Sequence, residues 1–318
     1  MKRLITITLA AIIALTLFAA CTTPATNDFG NQSNNNASSV VDQKPDEESA
    51  EPESTFDYSK DLTVVSREDG SGTRGAFTEL FKVAEKNADG KTIDNTTLDA
   101  IITNSTSVMM QTVAGNEYAI GYISLGSLND TVKALEIDGA VASAQEIENG
   151  TYKISRPFII ATKGEVKNEV AKDFIAFIMS SDGQEVVEKG GYIPVKNLNA
   201  YAGSKPKGKA VVGGSSSVSP IMEKLIEAYK AVNPDADITL QTSDSSAGMT
   251  QAVDGILDIG MSSRELKDTE LEAGLTPIVI ATDGIAVIVN NGCPMNGLTS
   301  EQVKAIFVGE ILYWNELK

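Results

Sequence analysis

Short apolar runs alternate with amphipathic stretches from residue 61 to residue 318. Runs of branched apolar residues predict strands, and stretches with apolar residues three and four positions apart predict helices. The predicted strands are Leu62–Val65, Ala119–Ile123, Phe158–Ala161, Ala210–Val212, Ile238–Gln241, Ile256–Met261, Thr276–Ile280 and Gly284–Val289. The predicted helices are Arg74–Glu85, Asn95–Ala100, Ser107–Val113, Glu165–Met179, Gly183–Lys189, Val218–Val232, Ala247–Asp254, Asp268–Ala273 and Ser300–Phe307. This alternation predicts an α/β architecture with mostly parallel sheets.

Two segments interrupt or precede the alternating pattern. Residues 21–60 are rich in Asn, Ser, Thr, Pro and acids and have almost no apolar periodicity. Such a segment cannot bury enough surface to offset its ordering entropy, so we expect a disordered acidic tether. Residues 197–209, with the sequence NLNAYAGSKPKGK, are predicted to form a polar linker.

Residues 1–20 have the pattern of a secretory signal peptide. A basic pair precedes the uncharged, largely apolar run Leu4–Ala20, and Cys21 follows directly. The sequence LFAAC at this point resembles a lipobox, with Phe18 bulkier than the usual residue, so we expect Cys21 to be lipidated. A transmembrane anchor is the alternative, but the apolar run is short for a span and no basic residues flank its end.

Charge and composition exclude several classes of function. The net charge of -17 makes a nucleic-acid surface an unlikely prediction, and we expect no nucleic-acid partner. The chain has no His, which excludes a Ser-His-Asp triad and, with only two Cys, a metal site with Cys or His ligands. It also lacks a phosphate loop of the GxxxxGK[ST] type and a G-x-G-x-x-G fingerprint. We therefore expect binding without turnover, without a metal and without a cofactor.

Three strand-to-helix junctions carry clusters of Ser and Gly. They read SREDGSGTRGAF from Ser66, VVGGSSSVSPIMEKL from Val211 and LQTSDSSAGMTQAV from Leu240. Each junction presents hydroxyls and free backbone N–H groups at the positive end of a helix dipole, which is suited to an anion. Ordinary helix caps, worth about 1 kcal/mol each, are the alternative interpretation. Because each of the three junctions is longer than a cap requires, a shared oxyanion site is the favoured hypothesis.

The first junction supplies the groups that an oxyanion site needs. Arg67 can make a bidentate, charge-assisted contact, and Ser71, Gly72 and Thr73 offer hydroxyls and N–H donors. Asp69 is expected either to hold the Arg67 guanidinium or to accept a proton from a protonated ligand. The alternative for Arg67 is a salt bridge at the surface.

The chain as a whole resembles the phosphate-binding lipoproteins of ABC phosphate importers. The resemblance covers nearly all of residues 62–318 and rests on the three junctions and on YAIGYISLGSL, SRPFIIATKG, GQEVVEKGGYIPV, LDIGMSSRELK, TDGIAVIVN and LTSEQVKAIFVGEILYWNEL. It implies a type II periplasmic-binding-protein fold, in which two α/β lobes close on the ligand like a clamshell. It also implies capture of inorganic phosphate and delivery to an ABC permease complex, by a monomer held through a lipid anchor at the outer face of the cytoplasmic membrane.

The order of these motifs differs from that of the family. In the family GGSSSVSP comes near the mature N-terminus and SREDGSGTR about midway, whereas here the second motif comes first. The sequence therefore resembles a circular permutant in which residues 197–209 join the usual termini. A fragment of a tandem duplication is the alternative. The permuted order implies a split lobe, residues 61–154 with 283–318, and a continuous lobe, residues 155–282.

The resemblance also implies a set of ligand-binding residues. Ser263 departs from the family, since members with an ASD motif place an Asp there as acceptor for the phosphate proton. Asp69 or Asp244 would then be the candidate acceptor, and discrimination against sulfate should weaken without one. The matched positions are Arg67, Asp69, Ser71, Gly72, Thr73, Ser216, Ser217, Ser245 and Ser263.

Three other functions stay open at this point. The first is binding of another oxyanion, such as sulfate or molybdate, and the second is a phosphate sensor without a transporter. A catalytic lipoprotein acting on phosphoesters is the third, and the absence of His and of Cys ligands weighs against it.

Overall fold

The structure is a computed structural model that describes residues 56–88 and 91–317. The predicted signal peptide, Cys21 and most of the predicted tether lie outside these residues. The strands are β1 Thr63–Arg67, β2 Ala84–Lys86, β3 Thr92–Asp94, β4 Ile101–Thr103, β5 Ala119–Ser124, β6 Lys133–Ala134, β7 Glu136–Ile137, β8 Ser155–Lys163, β9 Ile193–Pro194, β10 Gly208–Ser215, β11 Ala236–Ser243, β12 Ile259–Ser262, β13 Leu275–Val289 and β14 Gly297–Leu298. The helices are α1 Gly72–Leu80, α2 Thr106–Ala114, α3 Ala144–Glu148, α4 Glu169–Ile178, α5 Ser181–Lys189, α6 Ser219–Val232, α7 Ser245–Val253, α8 Asp268–Glu272 and α9 Ser300–Phe307.

One sheet runs through the described residues in the order β11-β10-β12-β8-β13-β5-β1-β4. The strands at its two ends pair in parallel, β10 with β11 and β12, and β1 with β4 and β5. The two central strands pair antiparallel with each other and with their outer neighbours. The prediction of mostly parallel sheets is therefore wrong, because β8 and the 15-residue β13 carry the chain across the middle.

The buried apolar residues form separate groups on the two sides of this centre. Core residues from 56–154 and 285–317 pack together around β1 and β5, and we call this part the split half. Core residues from 158–281 pack around β10 and β12, and we call this part the continuous half. Strands β8 and β13 pair with each other between the two halves, and we call them the crossover strands because the chain passes from one half to the other along them.

Helix ends follow local side-chain chemistry. Helix α9 coincides with its prediction because Thr299 and Gln302 form a reciprocal capping box at its start. Helix α1 ends at Leu80, before the predicted Glu85, and Lys82 takes a left-handed φ of 56°. The chain then forms the β2–β3 hairpin, which periodicity alone did not indicate.

The helix predicted at residues 95–100 is absent, and the segment consists of turns and irregular structure. The Asp94 carboxylate accepts hydrogen bonds from the backbone N–H and the hydroxyl of Thr96, at 2.9 and 2.6 Å. A side chain that bonds the backbone two residues on stabilises a turn in place of a helix. Leu98, whose apolar spacing favoured a helix, is fully exposed.

The segment predicted to be a polar linker is attached to the continuous half. Asp173, on α4, accepts hydrogen bonds from the Ser204 N–H at 2.7 Å and from the hydroxyls of Tyr201 and Tyr229. Burial alone would raise the pKa of Asp173, but these hydrogen bonds outweigh it and lower the pKa. The linker is therefore held at a defined place, although it has no helix or strand before Gly208.

Among the described residues, none of the helices combines the length and the apolar character that a membrane span requires.

Candidate functional site

Four helix N-termini converge at the carboxyl edge of the sheet. Helices α1 and α2 begin after β1 and β4 in the split half, and α6 and α7 begin after β10 and β11 in the continuous half. Parallel strands end at the same edge of a sheet, so the helices that follow them start close together. Side-chain hydroxyls from the two halves touch across this edge.

The first contacts join α1 and α2 to the Ser run before α6. The Thr73 hydroxyl lies 2.7 Å from that of Ser217, and the Thr106 hydroxyl lies 3.2 Å from it. The Arg67 guanidinium donates to the Ser216 hydroxyl over 3.1 Å. These buried contacts connect both halves at the predicted junctions.

The second contacts surround the start of α7. The Ser263 N–H donates to the Ser245 hydroxyl over 3.1 Å, and the Ser215 hydroxyl donates to that of Ser263 over 2.9 Å. Ser245 and Ser263 are fully buried. Ser263, which stands where the family resemblance implies an acidic acceptor, is thus already engaged by a neighbouring hydroxyl.

Gly72 is the point of closest approach between the halves. A Cβ atom at this position would lie 2.4 Å from the Ser245 Oγ and 2.7 Å from the Ser263 Oγ. A larger side chain would therefore require these buried hydroxyls or the two halves to shift. The N-cap of α1 is Ser71, whose Oγ accepts from the Arg74 N–H over 3.3 Å.

Arg67 is held by a partner that the sequence did not indicate. Its Nε and Nη2 atoms donate to the two carboxylate oxygens of Glu68, both over 2.7 Å. The predicted pairing of Arg67 with Asp69 is wrong. The turn in which the Ser71 N–H donates to the Glu68 carbonyl directs Asp69 outward, where its side chain is 97% exposed and pairs with Arg74 at 3.0 Å.

Tyr122, on β5, supports the loop that carries Arg67. Its hydroxyl lies 2.9 Å from the Ser66 hydroxyl and accepts from the Arg67 N–H over 3.2 Å. Its ring stacks on Phe77 of α1 at 3.9 Å between centroids. Burial raises the pKa of Tyr122 to about 12, so the phenol stays protonated and can keep donating one hydrogen bond.

Eight of the nine predicted ligand-binding residues are buried at this junction, and Asp69 is not. The eight are Arg67, Ser71, Gly72, Thr73, Ser216, Ser217, Ser245 and Ser263. Asp244 caps α7 by accepting from the Ala247 N–H over 2.8 Å, and it packs against Gly70.

Sequence reasoning missed Thr106, Ser215 and Glu68. Thr106 had a readable signal, since the segment NSTS follows an apolar run and precedes a helix like the other junctions. Ser215 lies within a recognised Ser run but was not singled out. Glu68 and Asp69 are both acids next to Arg67, and only the turn geometry distinguishes them.

Comparison with known proteins defines the class. A family model described as a PBP superfamily domain matches residues 42–182 and 199–318. The chain therefore belongs to the PBP superfamily, which confirms the predicted α/β fold of the type II periplasmic-binding-protein kind.

Within this superfamily, the chain is similar to proteins that are named as phosphate-binding proteins. The chain is 55% identical over 256 residues to phosphate-binding protein PstS 2 of Streptococcus agalactiae serotype V, covering 80% of this chain and 87% of the relative. It is 45% identical over 258 residues to phosphate-binding protein PstS 2 of Streptococcus pneumoniae serotype 4, covering 81% and 88%. The crystal structure of a phosphate ABC transporter phosphate-binding protein from Streptococcus pneumoniae TIGR4 is similar, with a TM-score of 0.64 and 45% identity, covering 81% of this chain and 100% of that chain.

Proposed function

We propose that the protein captures inorganic phosphate between its split half and its continuous half and delivers it to the permease of an ABC importer. The observation that carries the proposal is the convergence of four helix N-termini from both halves around buried hydroxyls and one buried Arg. The names of the relatives, which describe phosphate-binding proteins, support the same ligand.

The N-termini supply the potential that the anion requires. Backbone N–H groups at a helix start carry partial positive charge and point at the ligand. The net charge of -17 does not prevent anion binding, because exposed carboxylates are screened by solvent while the local dipoles are not. No proton transfer or bond cleavage is needed, so the proposed activity is binding without turnover.

Hydrogen bonds between the split half and the continuous half suggest how phosphate would close the two halves on each other. Ser216 and Ser217 belong to the continuous half, and their partners Arg67 and Thr73 belong to the split half. A phosphate that accepts from both sets binds the closed form better than the open form. This difference in affinity drives closure, and we propose that the two halves are the lobes of the clamshell.

The Arg67→Ala variant tests the site. Loss of the buried guanidinium should weaken phosphate binding by roughly 2–5 kcal/mol, measured by isothermal titration calorimetry. Lys207→Ala is the matched control, since this cationic side chain is 80% exposed in a surface pair and should not affect binding. Unchanged phosphate affinity in Arg67→Ala removes Arg67 from the site.

Selectivity is tested by titrating the wild-type protein with phosphate, sulfate and molybdate at two pH values. We expect phosphate to bind most tightly. A preference for sulfate or molybdate at both pH values identifies a binding protein for another oxyanion. Binding of phosphate without any interaction with a permease identifies a sensor.

We further propose that the mature protein is a monomeric lipoprotein on the outer face of the cytoplasmic membrane. The support is the sequence pattern of residues 1–20 and Cys21, with residues 21–60 as a tether. Metabolic labelling with palmitate should mark the wild-type protein and leave Cys21→Ser unlabelled. Equal labelling of both proteins contradicts this proposal.

The chain order is proposed to be a circular permutation. Both ends of the described chain meet, since the Leu62 N–H donates to the Leu312 carbonyl over 2.7 Å and the Asn315 N–H to the Tyr58 carbonyl over 2.9 Å. An alignment of 256 residues requires the same motif order in both chains, so the order extends to the Streptococcus agalactiae relative. The match to phosphate-binding protein PstS of Bacillus subtilis, at 34% identity, covers 43% of each chain.

A further inference from the structure

Arg156 and Asp283 form a buried ion pair on the crossover strands. They are register partners on β8 and β13, and Arg156 Nη2 lies 3.2 Å from Asp283 Oδ2. Their side chains are 2% and 1% exposed. The other Asp283 oxygen accepts from the Gly126 N–H over 3.3 Å, so both carboxylate oxygens are engaged.

Arg156 has more donors than acceptors around it. Its Nε and Nη1 atoms are buried and make no hydrogen bond within the described part of the chain. A buried, charged donor without an acceptor is destabilising. Two such donors on one guanidinium indicate a place where an acceptor-rich ligand binds.

Arg156 also lies near the edge of the sheet where the helices begin. Ile159 of β8 is paired with Ser262, the last residue of β12, and the two strands are antiparallel. Arg156, three residues before Ile159, therefore lies beyond the carboxyl end of β12, the end at which Ser263 follows. Arg156 borders a groove of about 730 Å³ together with Gly75 and Ala76 of α1 and Arg264. Burial lowers the pKa of Arg156, and the nearby charge of Arg67 lowers it further, against the opposing effect of Asp283.

Arg67 has few N–H groups left for a bound anion. Its Nε and Nη2 atoms both bind the Glu68 carboxylate, so the pair is close to neutral. Arg156 shares only one of its nitrogens with Asp283. A second guanidinium with two free nitrogens would supply the forked donors that a tetrahedral oxyanion requires.

We propose that Arg156 is a second arginine of the anion site, whose Nε and Nη1 donate to the bound oxyanion from the crossover strand β8. Asp283 is the positioning residue that holds this guanidinium through Nη2. The inference rests on the proposed function, since it assigns a further contact to the same ligand.

Calorimetry with phosphate on Arg156→Gln, Arg156→Lys and Asp283→Asn tests the proposal. Arg156→Gln should lose about 100-fold in affinity, and Arg156→Lys should lose less because it keeps the charge. Asp283→Asn keeps a side-chain oxygen that can accept from Arg156 Nη2, so positioning is retained while a negative charge near the anion is removed, and phosphate should bind as tightly as in wild type or more tightly. A merely structural pair would instead make Asp283→Asn and Arg156→Gln lose affinity equally, and that result overturns the proposal, as does wild-type affinity in Arg156→Gln.

A crystal structure of the wild-type protein with phosphate decides the case if Arg156→Gln does not fold. We expect Nε and Nη1 of Arg156 within about 3.2 Å of phosphate oxygens. The proposal is overturned if Nε and Nη1 of Arg156 both bond to water or protein atoms and neither bonds to phosphate. Failure of the wild-type protein to bind phosphate, sulfate or molybdate contradicts the proposed function, whereas wild-type binding with an unaffected Arg156→Gln contradicts this inference alone.

Discussion

At the scale of single residues, the site depends on small side chains that let two backbones approach. Gly72, Ser245 and Ser263 meet where any added atom would collide. Gly72 and Ser245 were identifiable from sequence because Ser and Gly at a helix start have local chemistry that needs no tertiary knowledge, whereas Ser263, which follows β12, was named only through the family resemblance. Arg156 was not identifiable, since it stands in a strand and its unpaired donors exist only in the folded protein.

Gly72→Ala should weaken phosphate binding by about tenfold or more, because a 2.4 Å contact forces the halves apart and a displacement of about 1 Å is costly for a bound ligand. Gly75→Ala is the control on the same helix. Its Cβ would lie 3.6 Å from the nearest Arg264 atom, so affinity should be unchanged and stability should rise by roughly 0.5–1 kcal/mol. Equal affinities for phosphate in the two variants would contradict the proposed closeness of the halves in the bound state.

Ser263→Asp should improve discrimination against sulfate. A carboxylate at this buried position can accept the proton of hydrogen phosphate but repels sulfate, which has no proton to donate. We expect the ratio of phosphate to sulfate affinity to rise by about tenfold or more, even where crowding lowers both affinities. Competition titrations measure this ratio, and an unchanged ratio indicates that another group already supplies the acceptor.

At the scale of elements, long periodic segments were predictable and short ones were not. Helix α9 matches its predicted bounds, and α6 begins one residue later than predicted. The β2–β3 hairpin and β4 are strands of three residues, too short to show a period, and their pairing depends on distant parts of the chain. The crossover strands were located only in part, since β13 was predicted as two strands, Thr276–Ile280 and Gly284–Val289, and is one continuous strand. The antiparallel direction of β8 and β13 could not be read from a run of apolar residues.

Asp173→Asn should destabilise the protein by roughly 2–4 kcal/mol, because the buried carboxylate anchors both the linker and Tyr229. Since the folded state lowers the pKa of Asp173, its contribution is present above the unfolded carboxyl pKa, given as 3.8, and is lost as pH falls further. Denaturant unfolding at neutral pH and at acid pH measures both effects. Asp182→Asn, which affects one exposed bond to the Tyr201 N–H, should cost much less.

Asp283, on the crossover strand β13, should make stability depend on pH in the opposite direction to Asp173. Burial raises the pKa of Asp283 to about 6 against the opposing charge of Arg156, so the folded state retains a proton that the unfolded state releases near its value of 3.8. Stability from this group is therefore present below the unfolded pKa and falls as pH rises through about 6, by on the order of 2–3 kcal/mol. The difference in unfolding free energy between wild type and Asp283→Asn should shrink over this pH range, and a constant difference would contradict the assignment.

At the scale of the whole molecule, the proposed permutation can be tested because the two ends of the described part of the chain meet. A chain opened within residues 198–206 and joined by a short linker from Lys318 to Phe56 should fold and bind phosphate with the affinity of wild type. Circular dichroism and calorimetry measure both properties. Opening the chain within β10 instead should abolish folding, since that strand lies between β11 and β12. Failure of the first chain to fold would count against the permutation.

Both ends of the described chain belong to the split half, where Phe56 packs near Trp314 at 5.4 Å between ring centroids. In the family order, the segment before GGSSSVSP leads into the continuous half instead. The proposed permutation would therefore place the attachment of a preceding segment on the split half instead of the continuous half. If the proposed lipid anchor and tether are correct, they attach to the half that carries Arg67, and the proposed closure would move the half that carries Ser216 and Ser245 relative to it.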